Sequence, residues 1–222
     1  MTSAVRPWPG PHHAACHSSA GADVTADAIL HDGTAVRIRP ISPNDEARLV
    51  AFHERLSPES RRLRFFSAHP HLQTAEARRF VNVDGTRRVA LVATQDDDIV
   101  GVARFDRVAE TTDAEAALVV QDNLQGHGLG TALLERLAVS AREKGITRLV
   151  ALILPENTRM RQVLRHLRSD MTAGYAGGVV EVTVPLIHTE RAAKTPDGAN
   201  EHDRRAGTVG SPDDKQVREV GE

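Results

Sequence analysis

The sequence predicts a single mixed α/β domain, and three observations carry that expectation. Segments that read as strands and as helices interleave between residues 29 and 186. An apolar strand at 115–120 runs into a glycine-rich loop, the loop opens directly into an amphipathic helix, and a nearly all-apolar strand follows at 147–154. Strand, loop, helix and strand in that order form a βαβ crossover. Finally, apolar content is 40% in a chain of 222 residues while aromatics make up only 3%, so the core must be aliphatic.

The elements follow in order. Asp32-Gly33 is a turn signal, and 34–40 alternates, with Val36 and Ile38 on one face and Arg37 and Arg39 on the other, as a strand does. Ser42-Pro43-Asn44-Asp45 starts a helix that carries Leu49, Val50, Phe52 and Leu56. A second start at Ser57-Pro58-Glu59-Ser60 leads to Leu63, Phe65 and Phe66, and a third helix begins after Thr74 and reaches Val81. Strands at 88–94 and 99–105 flank the polar turn Asp96-Asp97-Asp98 as a hairpin. A third member of this meander runs over 115–120. In the helix at 128–143, Leu129, Leu133, Leu134, Leu137, Ala138 and Ala141 form one apolar stripe, and Lys144-Gly145 closes it. The strand at 147–154 reads as buried on both faces and hence central. A helix at 155–167, a turn at 174–178 containing Tyr175, and a last strand at 179–186 complete the domain.

Residues 1–28 and 188–222 are expected to be disordered tails around a domain at 29–187, because they lack apolar periodicity. His12, His13, Cys16 and His17 lie close together, but a segment without fixed geometry or a second ligand pair makes no metal site, so no metal is expected. Lys plus Arg total 28 and Asp plus Glu 30, a balance that argues against a nucleic-acid partner. No apolar run is long enough for a membrane span, and the N-terminus has no secretion-signal core. One cysteine allows no intrachain disulfide, so a cytoplasmic location is the default expectation.

The loop carries the chemistry. Gly126, Gly128 and Gly130 leave its backbone bare, and the first amides of the following helix lack internal partners at its positive end. Such a place binds anions, most naturally phosphate. A Walker loop is absent, and a dinucleotide fingerprint starting at Gly126 and Gly128 fails because Thr131 stands where its third glycine belongs. What remains is Gln125-x-x-Gly128-x-Gly130.

That pattern resembles the acyl-CoA diphosphate loop of the GNAT N-acetyltransferase superfamily, and the element order over 29–186 resembles the family's fold. Short runs narrow the resemblance: Asp32-Gly33, Arg39-Pro40, Leu56-Ser57-Pro58-Glu59-Ser60, Arg64-Phe65-Phe66, Ile99-Val100-Gly101-Val102-Ala103-Arg104-Phe105, Ala114-Glu115 and Asn157-x-x-Met160. Together they are similar to the acetyltransferase domain of bacterial Pat-type protein lysine acetyltransferases. The resemblance implies a mixed, mostly antiparallel sheet splayed between the strands at 115–120 and 147–154, the fourth and fifth of the sequence. It implies acetyl-CoA as acyl donor in that splay, with its pantetheine arm along Leu118, Val119 and Val120. It places the diphosphate on Gln125, Gly126, His127, Gly128, Leu129, Gly130 and Thr131, and a further contact to the CoA arm on Asn157. His127 stands where the family commonly has Arg or Lys.

A lysine with its pKa near 10.4 must lose a proton before its nitrogen can accept an acyl group. Glu115, an acid on an otherwise apolar strand just ahead of the cofactor segment, is the candidate base, and burial would raise its pKa. In the resembled domains a glutamate in this context serves that role. The family's tyrosine acid has no counterpart in 157–167, and Arg168-Ser169 follows Leu167 where Gly-Phe is usual. The expected partners are acetyl-CoA and a protein lysine acceptor. A small-molecule amine acceptor and a non-catalytic acyl-CoA sensor are the alternatives.

Overall fold

The computed structural model describes residues 25–187 apart from Ser169. The flanking stretches read as tails, with His12, His13, Cys16 and His17, lie outside the described residues except at the domain edge. There the chain is ordered earlier than expected: Ala26–Ile29 is a strand, β1, paired antiparallel with β2 (Ala35–Pro40) across the turn at Asp32-Gly33. Gly33 adopts φ +86°, the left-handed conformation the turn requires.

After β2 a 3-10 turn at Pro43–Asp45 leads into α1 (Glu46–Arg55). Asp45 is fully buried there and takes a two-pronged hydrogen bond from Arg39, at 2.7 and 2.8 Å, which helps hold its carboxyl down at a pKa of about 2. Helices α2 (Pro58–Phe65) and α3 (Thr74–Val81) follow; Ser57 caps α2 by accepting from the Ser60 amide at 3.1 Å. The meander is β3 (Arg88–Gln95), β4 (Asp98–Arg107) and β5 (Asp113–Val120). Then come α4 (Leu129–Glu143), β6 (Arg148–Ile153), α5 (Thr158–Leu167), β7 (Thr172–Ala176) and β8 (Val179–Pro185).

The sheet has eight strands in the order β1-β2-β3-β4-β5-β6-β8-β7. Every pair is antiparallel except β5 with β6, the pair joined by the α4 crossover. Two apolar clusters divide the sides of the sheet. Leu91, Ala103, Phe105, Ala116 and Val120 pack with Leu129, Leu133, Leu134 and Leu137 of α4. Ala90, Val92 and Ile99 pack with Leu49, Phe52, Ala77 and Val81 of α1 and α3.

Two expectations change. The segment read as a turn around Tyr175 is strand β7, and the turn is Gly177-Gly178, both with positive φ. Tyr175 pairs with Val180 on an edge strand and is 71% exposed. Strand β6 is interior in the sheet, as expected, but it is not buried on both faces. Leu149, Ala151 and Ile153 are buried, while Val150 and Leu152 are half-buried, because the α1–α3 layer does not extend over β6.

Candidate active site

The site forms where β5 leaves β6. Their parallel ladder contains only Asp113 with Arg148, Ala114 with Leu149, and Glu115 with Val150. Beyond that point β5 stays paired with β4 as far as Val120, and β6 stays paired with β8 as far as Ile153. Residues 116–120 therefore present about 16 Å of strand edge to a cleft rather than to a neighbouring strand. Leu118 and Val119 are half-buried, packing against opposite apolar clusters, and Val120 is buried.

Glu115 occupies the last paired position, at the apex of the cleft. Directly opposite it on β4 is Asp106, a placement that brings Cβ atoms to about 5 Å on the same face. Asp106 is held by Arg104, whose Nε and Nη2 each donate at 3.2 Å. Burial pushes the Glu115 pKa up, and the Asp106 carboxylate pushes it further. Arg64 of α2 and Arg104 oppose them without reversing the direction. Arg64 is itself desolvated and lies close to Arg104, so its pKa falls to about 10, still protonated at neutral pH; its guanidinium stacks over Phe65 at 4.9 Å. Asp106, Arg104 and Arg64 are the members of this cluster that spacing along the chain does not reveal.

The loop after β5 is tied down at several points. A 3-10 turn at Asp122–Leu124 precedes Gln125. The Asp122 carboxylate accepts from the Ser57 amide, the Ser57 hydroxyl and the Ser60 hydroxyl at 2.6–2.9 Å, fixing the loop to α2. Gln125 uses its side chain on the protein: Nε2 donates to the Val120 carbonyl and to Ser60 Oγ, and Oε1 accepts from Arg159 at 2.5 Å. Gln125 thus shapes the loop, and it holds the Arg159 guanidinium of α5 beside it.

Gly126 and Gly128 take φ +86° and +92°, and a Cβ at Gly126 would meet nothing within 4 Å. Gly128 caps α4, whose first internal bond runs from the Ala132 amide to the Gly128 carbonyl at 3.0 Å. The amides of Leu129, Gly130 and Thr131 come before that bond. The turn of the β1–β2 hairpin closes one side of the loop. The His31 amide donates to the His127 carbonyl at 3.0 Å, His127 Nδ1 lies 3.3 Å from Asp32, and the His31 ring sits where a Gly128 Cβ would approach it to 3.1 Å. Asn157 caps α5, its Oδ1 accepting from the Met160 amide at 3.0 Å. Among the described residues no group of His, Cys, Asp and Glu could hold a metal, and no helix is long and apolar enough to cross a membrane.

A sheet opened at one parallel pair, with a bare helix N-terminus at the mouth and a half-buried acid at the apex, defines an acyl-CoA-type transferase fold. Residues 49–167 match the acetyltransferase (GNAT) family. An acetyltransferase of Pseudomonas aeruginosa is 31% identical over 156 residues, covering 67% of this chain and 84% of that protein. The chain belongs to the GNAT acetyltransferase family. The acetyltransferase Pat of Mycolicibacterium smegmatis is also 31% identical over 156 residues, 68% of this chain but 46% of Pat, so the chain spans just under half of that relative. The crystal structure of the GNAT domain of S. lividans PAT shares 38% identity at a TM-score of 0.69, covering 73% of this chain and 97% of that one. The protein yncA of Salmonella typhimurium, solved with acetyl-CoA, shares the fold at 20% identity and a TM-score of 0.56, covering 69% of this chain and 95% of that one.

Proposed function

We propose that this acetyltransferase moves an acetyl group from acetyl-CoA to a lysine side chain of a protein, with Glu115 as general base. One observation carries the proposal: Glu115 stands at the apex of the β5–β6 cleft with its pKa raised by burial and by Asp106. A carboxylate with a raised pKa is a stronger base, closer to what deprotonating an ammonium at neutral pH demands. The likeness to the PAT GNAT domain supports the protein acceptor. Val150, beside Glu115 on β6, and Leu152 are only half-buried on that face.

In this reading the β5 edge at Leu118, Val119 and Val120, where Gln125 already holds the Val120 carbonyl, takes the pantetheine amides. The diphosphate rests on the amides of residues 126–131, with Arg159 adding charge, and Asn157 borders the arm at the head of α5. Each charge-assisted bond of this kind contributes about 1.5–3 kcal/mol. Glu115 removes a proton from the lysine ammonium. The freed amine attacks the thioester carbon, a C–N bond forms and the C–S bond breaks. The sulfur leaves with the electron pair, and the second nitrogen proton passes to the thiolate or to solvent. Acetyl-CoA and a polypeptide are the partners, and the chain's single cysteine suits the cytoplasm.

Glu115→Gln tests this. Thiol release with protein acceptors should fall about 10²–10⁴-fold while calorimetric acetyl-CoA binding stays near the wild-type value. Full turnover by the glutamine variant would remove Glu115 from the mechanism.

A further inference from the structure

Between α1, α2, α3 and strands β3, β4 and β5 lies a cavity of about 40 Å³. Its wall is mostly apolar, with Phe52, Leu56, Phe65, Phe80 and Val119 prominent. Arg64 and Arg104, the two guanidinium groups that bear on Glu115, also line it. So does His53, and the charges that bear on His53 are a separate set, His69, Arg61 and His71. The cavity thus reaches from the surroundings of Glu115 to those of His53. Val119 belongs both to this wall and to the strand edge assigned to the pantetheine arm, so the cavity adjoins the transfer site.

His53 is the anomaly in that wall. It is 2% exposed, and neither Nδ1 nor Nε2 has a hydrogen-bond partner. Its ring packs against Phe65 and His69 at centroid distances of 5.5 and 5.3 Å, contacts that fill space but bond neither nitrogen. Burial keeps the imidazole neutral, with its pKa pushed down to about 4, so it offers one donor and one acceptor. A buried polar group left unsatisfied is uncommon and costly, and each instance calls for an explanation. A hydroxyl can satisfy either nitrogen.

At roughly 10–15 Å³ for one small polar or methyl-sized group, the space admits about three or four non-hydrogen atoms. We propose that it receives the distal end of a short hydroxyacyl chain, about four carbons long, delivered as a coenzyme A thioester, with His53 hydrogen-bonding the hydroxyl. The proposal rests on the reading of the β5–β6 cleft as the acyl-CoA site, and the bonds made and broken in transfer are unchanged.

Calorimetry on the full chain tests it, using acetyl-CoA, butyryl-CoA and 3-hydroxybutyryl-CoA as probes. The hydroxylated thioester is expected to bind about tenfold more tightly than butyryl-CoA, the effect of one hydrogen bond to a buried group. His53→Phe should abolish that preference. Ala90→Val, which narrows the cavity from β3, should weaken both four-carbon thioesters relative to acetyl-CoA. Wild-type protein that binds acetyl-CoA but shows no preference for the hydroxyl, or a preference that survives His53→Phe, overturns the pocket alone. If none of the three thioesters binds, the acyl-CoA reading and the pocket fall together.

Discussion

Toward α4 the sheet presents Leu91, Ala103, Phe105, Ala116 and Val120, and the helix meets them with Leu129, Leu133, Leu134 and Leu137. Toward α1–α3 the same strands present Arg104, Asp106 and Glu115, and the helices contribute Arg64 and an unpartnered His53. Strand β5 belongs to both: its even-numbered residues pack on α4 and its odd-numbered ones carry the acid. Strand β5 thus joins a rigid packed face to a charged one. One face is filled by volume alone and fixes where β5 and β6 part. The other tolerates desolvated charge and leaves Val150 and Leu152 of β6 half-buried, and there the proposed base, Glu115, has its pKa raised.

If that division holds, changes on the α4 face should cost stability without altering the chemistry. Leu133→Ala removes a fully buried side chain from the packed face and should cost about 3 kcal/mol in denaturant unfolding. The pH dependence of turnover by the molecules that remain folded should not change. A shifted pH profile would show that the faces are not independent.

The second largest effect belongs to the other face and depends on pH. His53 has a folded pKa of about 4, below its unfolded value. The unfolded chain therefore binds the proton first. Stability is full above about pH 6.5 and is lost as pH falls from there towards 4. Between pH 7 and pH 5 the loss from this group is on the order of 2 kcal/mol. His53→Phe should flatten that part of the stability curve, measured by urea titration at the two pH values; an unchanged slope would mean that the ring is not desolvated.

The smallest effect separates two glycines of the loop. Gly128 has φ +92° and His31 in the way of a Cβ, whereas Gly130 has ordinary backbone and a Cβ there would first meet Leu118 at 3.4 Å. Gly128→Ala should cost about 1 kcal/mol and weaken acetyl-CoA binding. Gly130→Ala should change stability less, as thermal melts of the pair would show. Equal losses would mean that the hairpin turn does not brace the loop.

Much of this was legible in the sequence because it rests on local pattern. The α4 stripe, the loop glycines and Glu115 ahead of an apolar run are all visible by spacing, and the structure places them on α4, on the loop before it and on β5. Strand β1 was missed because Ala26-Asp27-Ala28-Ile29 has little β-preference and is held by its pairing with β2. Strand β7 was missed because Gly174 and the following Gly177-Gly178 read as one turn. The clamps from Ser57 and Ser60 to Asp122, and from Arg159 to Gln125, join residues far apart in the chain, so no local signal marks them. The same holds for Asp106 and Arg104 around Glu115, which become neighbours only through strand register.

As the proposed base, Glu115 has a pKa raised above that of an ordinary carboxylate. The direct measurement is the pH profile of kcat/KM for the wild type and Glu115→Gln with a protein acceptor under saturating acetyl-CoA. The base must be ionised to work, so the wild-type rate should rise about tenfold per pH unit at low pH and bend at a pKa above 4.5, the usual value for glutamate. The glutamine variant should lose that bend along with most of its rate. Identical profiles and rates for the two proteins would contradict the account.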